Sequence, residues 1–180
     1  MIIEEKSKLF KLFSERSDSM TDAEIGALLA VGGFMLLFFL LGLVFYILFS
    51  LGLYTMAKRR SIPNPWLAWI PIAQFYMLGE VIGPVKLGDF TADKPGLYLL
   101  GAIIGLWVLS FIPILGPIFS LANLAVAIGA LYLLFSRYTT GNTPILYTIL
   151  GVASFGALMA IFVFTVRNNE YLPADESAAT

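Results

Sequence analysis

A run of 33 residues without a single charged side chain, from Ile25 to Ala57, dominates this sequence. A helix needs about 20 mostly apolar residues to cross the hydrocarbon core of a bilayer. The run is longer than that, so a helix could cross with tilt or extend beyond one face. A basic triplet that begins at Lys58 closes the run. The sequence therefore predicts a transmembrane helix at about residues 27–57.

The composition extends this conclusion to the whole chain. Of the 180 residues, 59% are hydrophobic and 13% are charged, whereas soluble domains average about a quarter charged. A globule this small could not hide so much apolar surface from water, and the chain is rich in the residues that disordered segments lack. Because backbone groups in lipid must be hydrogen-bonded internally, we expect an all-α integral membrane protein.

A second charge-free run, residues 95–136, is too long for one span. Pro113 and Pro117 lie near its middle, and neither can continue a helix cleanly. We therefore predict a tight hairpin, with one span at about 97–112 and the next at about 117–136.

A third charge-free run ends at Val166, directly before Arg167, and predicts a span at about 144–166. The sequence thus predicts four transmembrane helices within a membrane domain of residues 25–167, followed by a polar, flexible tail at 168–180. Residues 1–24 form an N-terminal segment in which apolar residues are interspersed with charged ones, and they predict a short amphipathic helix that ends before residues 17–22. That helix would lie on the bilayer surface or dock a partner. Its acidic start and the great length of the following apolar run argue against a secretory signal.

The segment 66–83 is barely long enough to cross, has Pro71 near its middle and contains the carboxylate of Glu80. A broken helix with a charge suits the interface or a re-entrant position better than a lipid-exposed span. We therefore predict a tryptophan-rich interfacial or re-entrant helix here. Its anchors at the headgroup level would be Trp66, Trp69 and Tyr76.

The positions of lysine and arginine predict the orientation. Cytoplasmic flanks of membrane helices carry the excess of basic residues. With four spans and the N-terminus outside, six basic residues lie in the cytoplasm and three in the outer flanks. The six are Lys58, Arg59, Arg60, Lys86, Lys94 and Arg137, and the three are Lys11, Arg16 and Arg167.

Polar side chains are scarce at membrane depth, and this scarcity limits the possible chemistry. The chain has no histidine and no cysteine, so the commonest acid/base group, thiolate nucleophiles and thiolate metal sites are excluded. We expect no catalytic residues, no metal, no cofactor and no enzymatic activity. The net charge of −1 does not point to nucleic acid. The candidate residues for a polar pathway or a partner site are Gln74, Glu80 and Asn123.

Small residues at helical spacing predict close helix packing. Gly101 and Gly105 form a GxxxG motif, and Gly129 and Gly156 belong to similar pairs of small residues. Such positions let helix backbones approach each other in the bilayer. They would pack helices within the chain or against another copy or another membrane protein.

The stretch from Leu53 to Tyr76 reads LYTMAKRRSIPNPWLAWIPIAQFY. It resembles a block, W-x-x-W-I-P-I-x-N-x-Y, of a family of small bacterial multi-pass membrane proteins without an established activity. Gln74 stands where those proteins often have asparagine, and it keeps the amide. The similarity covers about residues 50–170. It implies a location in the bacterial cytoplasmic membrane and a shared architecture, and no activity.

Three functional hypotheses follow. The first is a protein that acts by helix association, as an accessory subunit, a scaffold or an envelope-stress factor. The second is a small transporter or channel subunit with a pathway near residues 66–83. The third is protection against membrane-active peptides. The expected partners are membrane lipids and a second copy or another membrane protein.

Overall fold

The computed structural model describes residues 2–18, 21–87, 90–154 and 156–173, and it is 78% helical. The predicted all-α class is therefore confirmed, although one short strand pair was not predicted. Two of the described helices, Asp22–Arg59 and Gly116–Tyr138, are long and apolar enough to cross a membrane. The described residues form α1 (Ile2–Asp18), α2 (Asp22–Arg59), a 3-10 turn (Pro65–Trp69), α3 (Ala73–Ile82), β1 (Val85–Leu87), β2 (Phe90–Ala92), α4 (Pro95–Leu109), α5 (Gly116–Tyr138), α6 (Thr143–Ala153) and α7 (Ala157–Val166).

The chain divides into two units, Met1–Leu43 and Val44–Thr180. The first contains α1, in the region predicted to be amphipathic, and the beginning of α2. A reciprocal pair of hydrogen bonds starts α2: the Thr21 amide donates to Glu24 Oε2 (2.8 Å), and the Glu24 amide donates to Thr21 Oγ1 (3.3 Å). This capping box satisfies amide groups that have no partner inside the helix.

The core of the second unit lies where the C-terminal ends of several helices pack together. Burying these side chains removes their apolar surface from solvent at one end of the unit. The largest buried side chains are Leu53 and Met56 of α2, Met77 and Val81 of α3, Leu134 and Phe135 of α5, and Val163 and Val166 of α7.

The predicted interfacial segment 66–83 is two pieces, the 3-10 turn and α3, separated around Pro71. The Tyr46 hydroxyl donates to the Trp69 carbonyl, between about three and four turns before α2 ends. At the other end of α3, Arg60 Nη1 donates to the Val81 carbonyl (2.6 Å). The chain therefore runs back along α2 after residue 60, and α3 then returns to the C-terminal end of α2.

Helices α4 and α5 form the predicted hairpin, with the turn near Pro113. They are antiparallel, and Asn123 Nδ2 of α5 donates to the Ile103 carbonyl of α4 (3.1 Å). Before α4 in the sequence, β1 and β2 pair antiparallel, with Val85 opposite Ala92. This strand pair joins α3 to α4 and holds their neighbouring ends together.

The single span predicted at about 144–166 is instead a hairpin of α6 and α7. Gly156 adopts φ +89° between them, a conformation that glycine adopts readily because it has no Cβ. The rings of Tyr147 in α6 and Phe162 in α7 stack at 4.2 Å, so the two helices run antiparallel. An uninterrupted apolar composition looks the same for one long helix and for two short ones that fold back, and this explains why the prediction differed.

Candidate functional site

Gln74, a predicted pathway residue, joins three parts of the fold. Its Nε2 donates to Ser50 Oγ of α2 (2.7 Å) and to the Ala68 carbonyl of the 3-10 turn (2.9 Å). Ser50 is completely buried. A buried polar group left without a partner costs free energy, so this amide stabilises the attachment of the turn to α2.

We expect Gln74→Leu to lower the free energy of unfolding by about 1–3 kcal/mol, because the Ser50 hydroxyl is left unsatisfied. The measurement is denaturant unfolding of the purified protein in detergent. In the Ser50→Ala background the same change should cost clearly less, because both partners are then gone. Equal costs in the two backgrounds would contradict this role of the amide.

Glu80 also has a structural partner. Its Oε1 accepts a hydrogen bond from the Gly96 amide (3.2 Å) in the first turn of α4. A carboxylate at this place satisfies an unpaired amide and interacts favourably with the positive end of the helix dipole. Glu80 therefore fixes the start of α4 against α3.

Asn123 borders an open cavity of about 520 Å³, and the other side chains that line it are apolar. Gln74 and Glu80 do not line this cavity. Gln74 is hydrogen-bonded to α2 and the 3-10 turn, whereas Glu80 and Asn123 are hydrogen-bonded to different places along α4. The three predicted residues therefore do not meet in one cavity. The apolar lining residues are Ile72, Phe75, Ile103, Ile104, Trp107 and Ala127.

The predicted anchors lie in the 3-10 turn and α3. Trp66 and Trp69 are exposed, and Tyr76 is half-buried. Exposed tryptophan rings on a segment that packs against an apolar helix have the character of interfacial anchors. Their depth in a bilayer stays a prediction.

The glycines predicted for helix packing make no close contact within the described chain. A Cβ atom added at Gly101, Gly105 or Gly129 would meet no atom within 4 Å, and Gly156 lies in the break before α7. The close approaches involve other glycines. A Cβ on Gly79 would lie 2.5 Å from the Pro95 carbonyl oxygen, and one on Gly52 would lie 2.8 Å from Val163 Cγ1.

Nothing in the sequence indicated that several arginines meet at one end of the second unit. This end, which we call the basic end, carries Arg59, Arg60, Arg137 and Arg167. Residues 167–173, which we call the C-terminal strap, cross this end. Asn169 Nδ2 donates to the Tyr138 carbonyl (2.7 Å), and the Leu172 amide donates to the Arg137 carbonyl (2.8 Å). The Tyr171 hydroxyl donates to the Ile82 carbonyl (3.2 Å). The strap therefore ties together the ends of α3 and α5.

These contacts correct the predicted position of Arg167. The four-span prediction placed Arg167 on the opposite side from Arg59 and Arg60, but all three line one cavity of about 200 Å³. Arg60 also stacks on the Tyr171 ring at 3.7 Å. The reversal between α6 and α7 is the physical reason, because it returns the chain to the end from which α6 began. The remaining lining residues are Met56, Tyr138, Asn169, Glu170 and Tyr171.

Arginine side chains at this end have few acidic partners. Arg137 is 4% exposed, its Nη2 donates to the Pro84 carbonyl (3.3 Å), and its Nε has no hydrogen-bond partner. Within the residues that the structure describes, Arg60, Arg137 and Arg167 donate to backbone carbonyls, and none of the arginines of this end forms an ion pair with a carboxylate. This end therefore carries positive charge that the described residues leave unneutralised.

Comparison with known proteins adds no assignment. No protein-family model, curated protein or solved structure matches the chain. In the described ranges, no three acidic, histidine or cysteine side chains are grouped so that they could hold a metal ion. The candidate sites must therefore be judged from their own geometry.

Proposed function

We propose that the protein is a multi-pass protein of the bacterial cytoplasmic membrane in which α2, α4 and α5 cross the bilayer. At 1.5 Å per residue, α5 is about 34 Å long, enough for a hydrocarbon core of about 30 Å. Helix α4 is shorter, and the apolar turn after it completes the crossing. The resemblance of residues 53–76 to small bacterial membrane proteins is part of this proposal.

In this topology, two hairpins enter the bilayer and return to the same side. One is the 3-10 turn with α3, and the other is α6 with α7. Helices α6 and α7 have 11 and 10 residues, about 16 and 15 Å, so each reaches about half the depth of the hydrocarbon core. This proposal replaces the fourth crossing with a re-entrant hairpin. Polar backbone groups at the turns are tolerated at that depth where they are buried in protein.

The charge distribution supports an inside position for the basic end. With Arg167 returned to that end, seven of the basic residues counted above lie inside and two lie outside, instead of six and three. The positive-inside rule favours the larger asymmetry. The N-terminus would then lie outside.

The protein, in this proposal, acts without enzymatic chemistry by associating with a second copy or another membrane protein, as an accessory subunit, scaffold or envelope-stress factor. The observation that carries the proposal is the open GxxxG face of α4. Gly101 and Gly105 are exposed, and no other part of the described chain approaches them. Small residues facing away from their own protein permit another helix to come close.

We expect Gly101→Ile/Gly105→Ile to abolish self-association or partner capture, because the two side chains would separate the helix backbones. The measurement is energy transfer between labelled copies in liposomes, together with mild crosslinking in native membranes. The matched control is Leu97→Ile/Val108→Ile, at exposed apolar positions of the same helix. The proposal fails if the glycine variant associates as the parent does, or if the parent is monomeric and crosslinks to no partner.

The transporter or channel alternative has less support. The amide of Gln74 and the carboxylate of Glu80 are engaged in separate structural hydrogen bonds, so they are poor candidates to line one pathway. Unchanged liposome flux in Glu80→Gln and Gln74→Ala would reject it. Among the described residues, no contact specifically favours the third hypothesis, protection against membrane-active peptides.

A further inference from the structure

We infer that the cavity under the C-terminal strap binds a phosphate group, either in the headgroup of an anionic phospholipid or as a soluble phosphate. Three arginines, Arg59, Arg60 and Arg167, line this cavity. Guanidinium groups bind phosphate oxygens through paired, charge-assisted hydrogen bonds. The inference goes beyond association through α4 and does not depend on it.

The cavity is assembled from distant parts of the sequence. Arg59 and Arg60 end α2, Tyr138 ends α5, and Arg167 follows α7. The strap closes the site: Asn169 is held by the Tyr138 carbonyl, and Tyr171 lies under the guanidinium group of Arg60. Such convergence keeps the arginines near one another, although like charges repel at close range.

The charge of the cavity favours an anion. Its three arginines face one carboxylate, that of Glu170, and the part of the chain described here gives none of them an ion pair. Arg59 makes no hydrogen bond among the described residues, so its donors are available. Nearby, Arg137 is buried with an unpartnered Nε, and its charge adds to the positive potential. A bound anion would offset this repulsion.

Hydroxyl and amide groups complement the charges. Asn169 lines the same cavity, and the second proton of its Nδ2 can be donated to a phosphate oxygen. The hydroxyls of Tyr138 and Tyr171 donate to the Val81 and Ile82 carbonyls, so they can only accept a hydrogen bond, for example from a glycerol hydroxyl. Basic pockets on the cytoplasmic side of membrane helices bind the headgroups of anionic lipids. With the basic end inside, as proposed above, such a headgroup would lie at the level of the cavity.

The test compares two double variants of the full-length protein in a neutral detergent. Arg59→Gln/Arg167→Gln removes the charge of two of the arginines that line the cavity. Lys58→Gln/Lys94→Gln removes the same charge from exposed residues near this end that do not line the cavity. Native mass spectrometry counts bound phosphatidylglycerol and phosphatidylcholine, and calorimetry measures inorganic phosphate. Thermal unfolding identifies any variant that fails to fold, and Arg59→Gln alone replaces the double variant in that case.

We expect the arginine variant to lose at least about tenfold in affinity, because each charge-assisted pair contributes strongly, and the lysine variant to lose less than about threefold. This pattern with phosphatidylglycerol identifies a lipid site, and the same pattern with inorganic phosphate alone identifies a soluble phosphate. Binding of neither probe overturns the inference. It is equally overturned if the two double variants lose affinity equally, because the attraction would then belong to the surface as a whole.

Discussion

Gly79→Ala is expected to destabilise the protein by at least about 2 kcal/mol, although alanine is the better helix former. The added Cβ would lie 2.5 Å from the Pro95 carbonyl oxygen and 2.6 Å from Gly96 Cα. These are backbone atoms at the start of α4, and they cannot rotate away as a side chain can. Either α4 shifts from α3, or the hydrogen bond from the Gly96 amide to Glu80 is lost.

The measurement is unfolding in detergent, followed by circular dichroism as a denaturing detergent is added. Gly129→Ala on α5 is the matched control, because its Cβ would meet no atom within 4 Å. The control should unfold at the same concentration as the parent or a higher one, as expected when alanine replaces an open helical glycine. If the two variants were equally stable, α3 and α4 would not cross as closely as Gly79 and Gly96 indicate.

The helical class could be predicted because length and apolar composition determine it. Within a single segment, a run as long as Ile25 to Ala57 can satisfy its backbone in lipid only as a helix, and the prolines around Gly116 predict the hairpin of α4 and α5. The reversal at Gly156 could not be predicted in the same way. Its neighbours are as apolar as those of a continuous span, and the second hairpin is revealed by contacts between α6 and α7, such as those of Tyr147 with Phe162 and of Gly151 with Met159.

The candidate site was harder to predict than the fold. Gln74 and Glu80 were singled out because polar groups at membrane depth often have a function, but both are occupied by structural hydrogen bonds. The arginines were counted only as topological signals. Arg59 and Arg167 are more than 100 residues apart, and no local pattern relates them. Their shared cavity depends on the reversal of α6 and α7.

Thiol labelling is expected to show on which side of the membrane the chain continues after α7. If α6 and α7 form a re-entrant hairpin, residue 168 lies on the same side as residue 61. If residues 144–166 crossed the bilayer, the two positions would lie on opposite sides. The shared cavity of Arg60 and Arg167 and the hydrogen bond from Asn169 to Tyr138 support the first arrangement. The effect on labelling is all or none.

The chain has no cysteine, so a single introduced thiol reports its own position. Ser61→Cys, Asn168→Cys and Ser7→Cys would each be treated with a membrane-impermeant maleimide, in intact cells and in inverted membrane vesicles. We predict that positions 61 and 168 react only in inverted vesicles, whereas position 7 reacts in intact cells. Reaction of position 168 in intact cells, with position 61 protected, would contradict the re-entrant hairpin and the shared basic end.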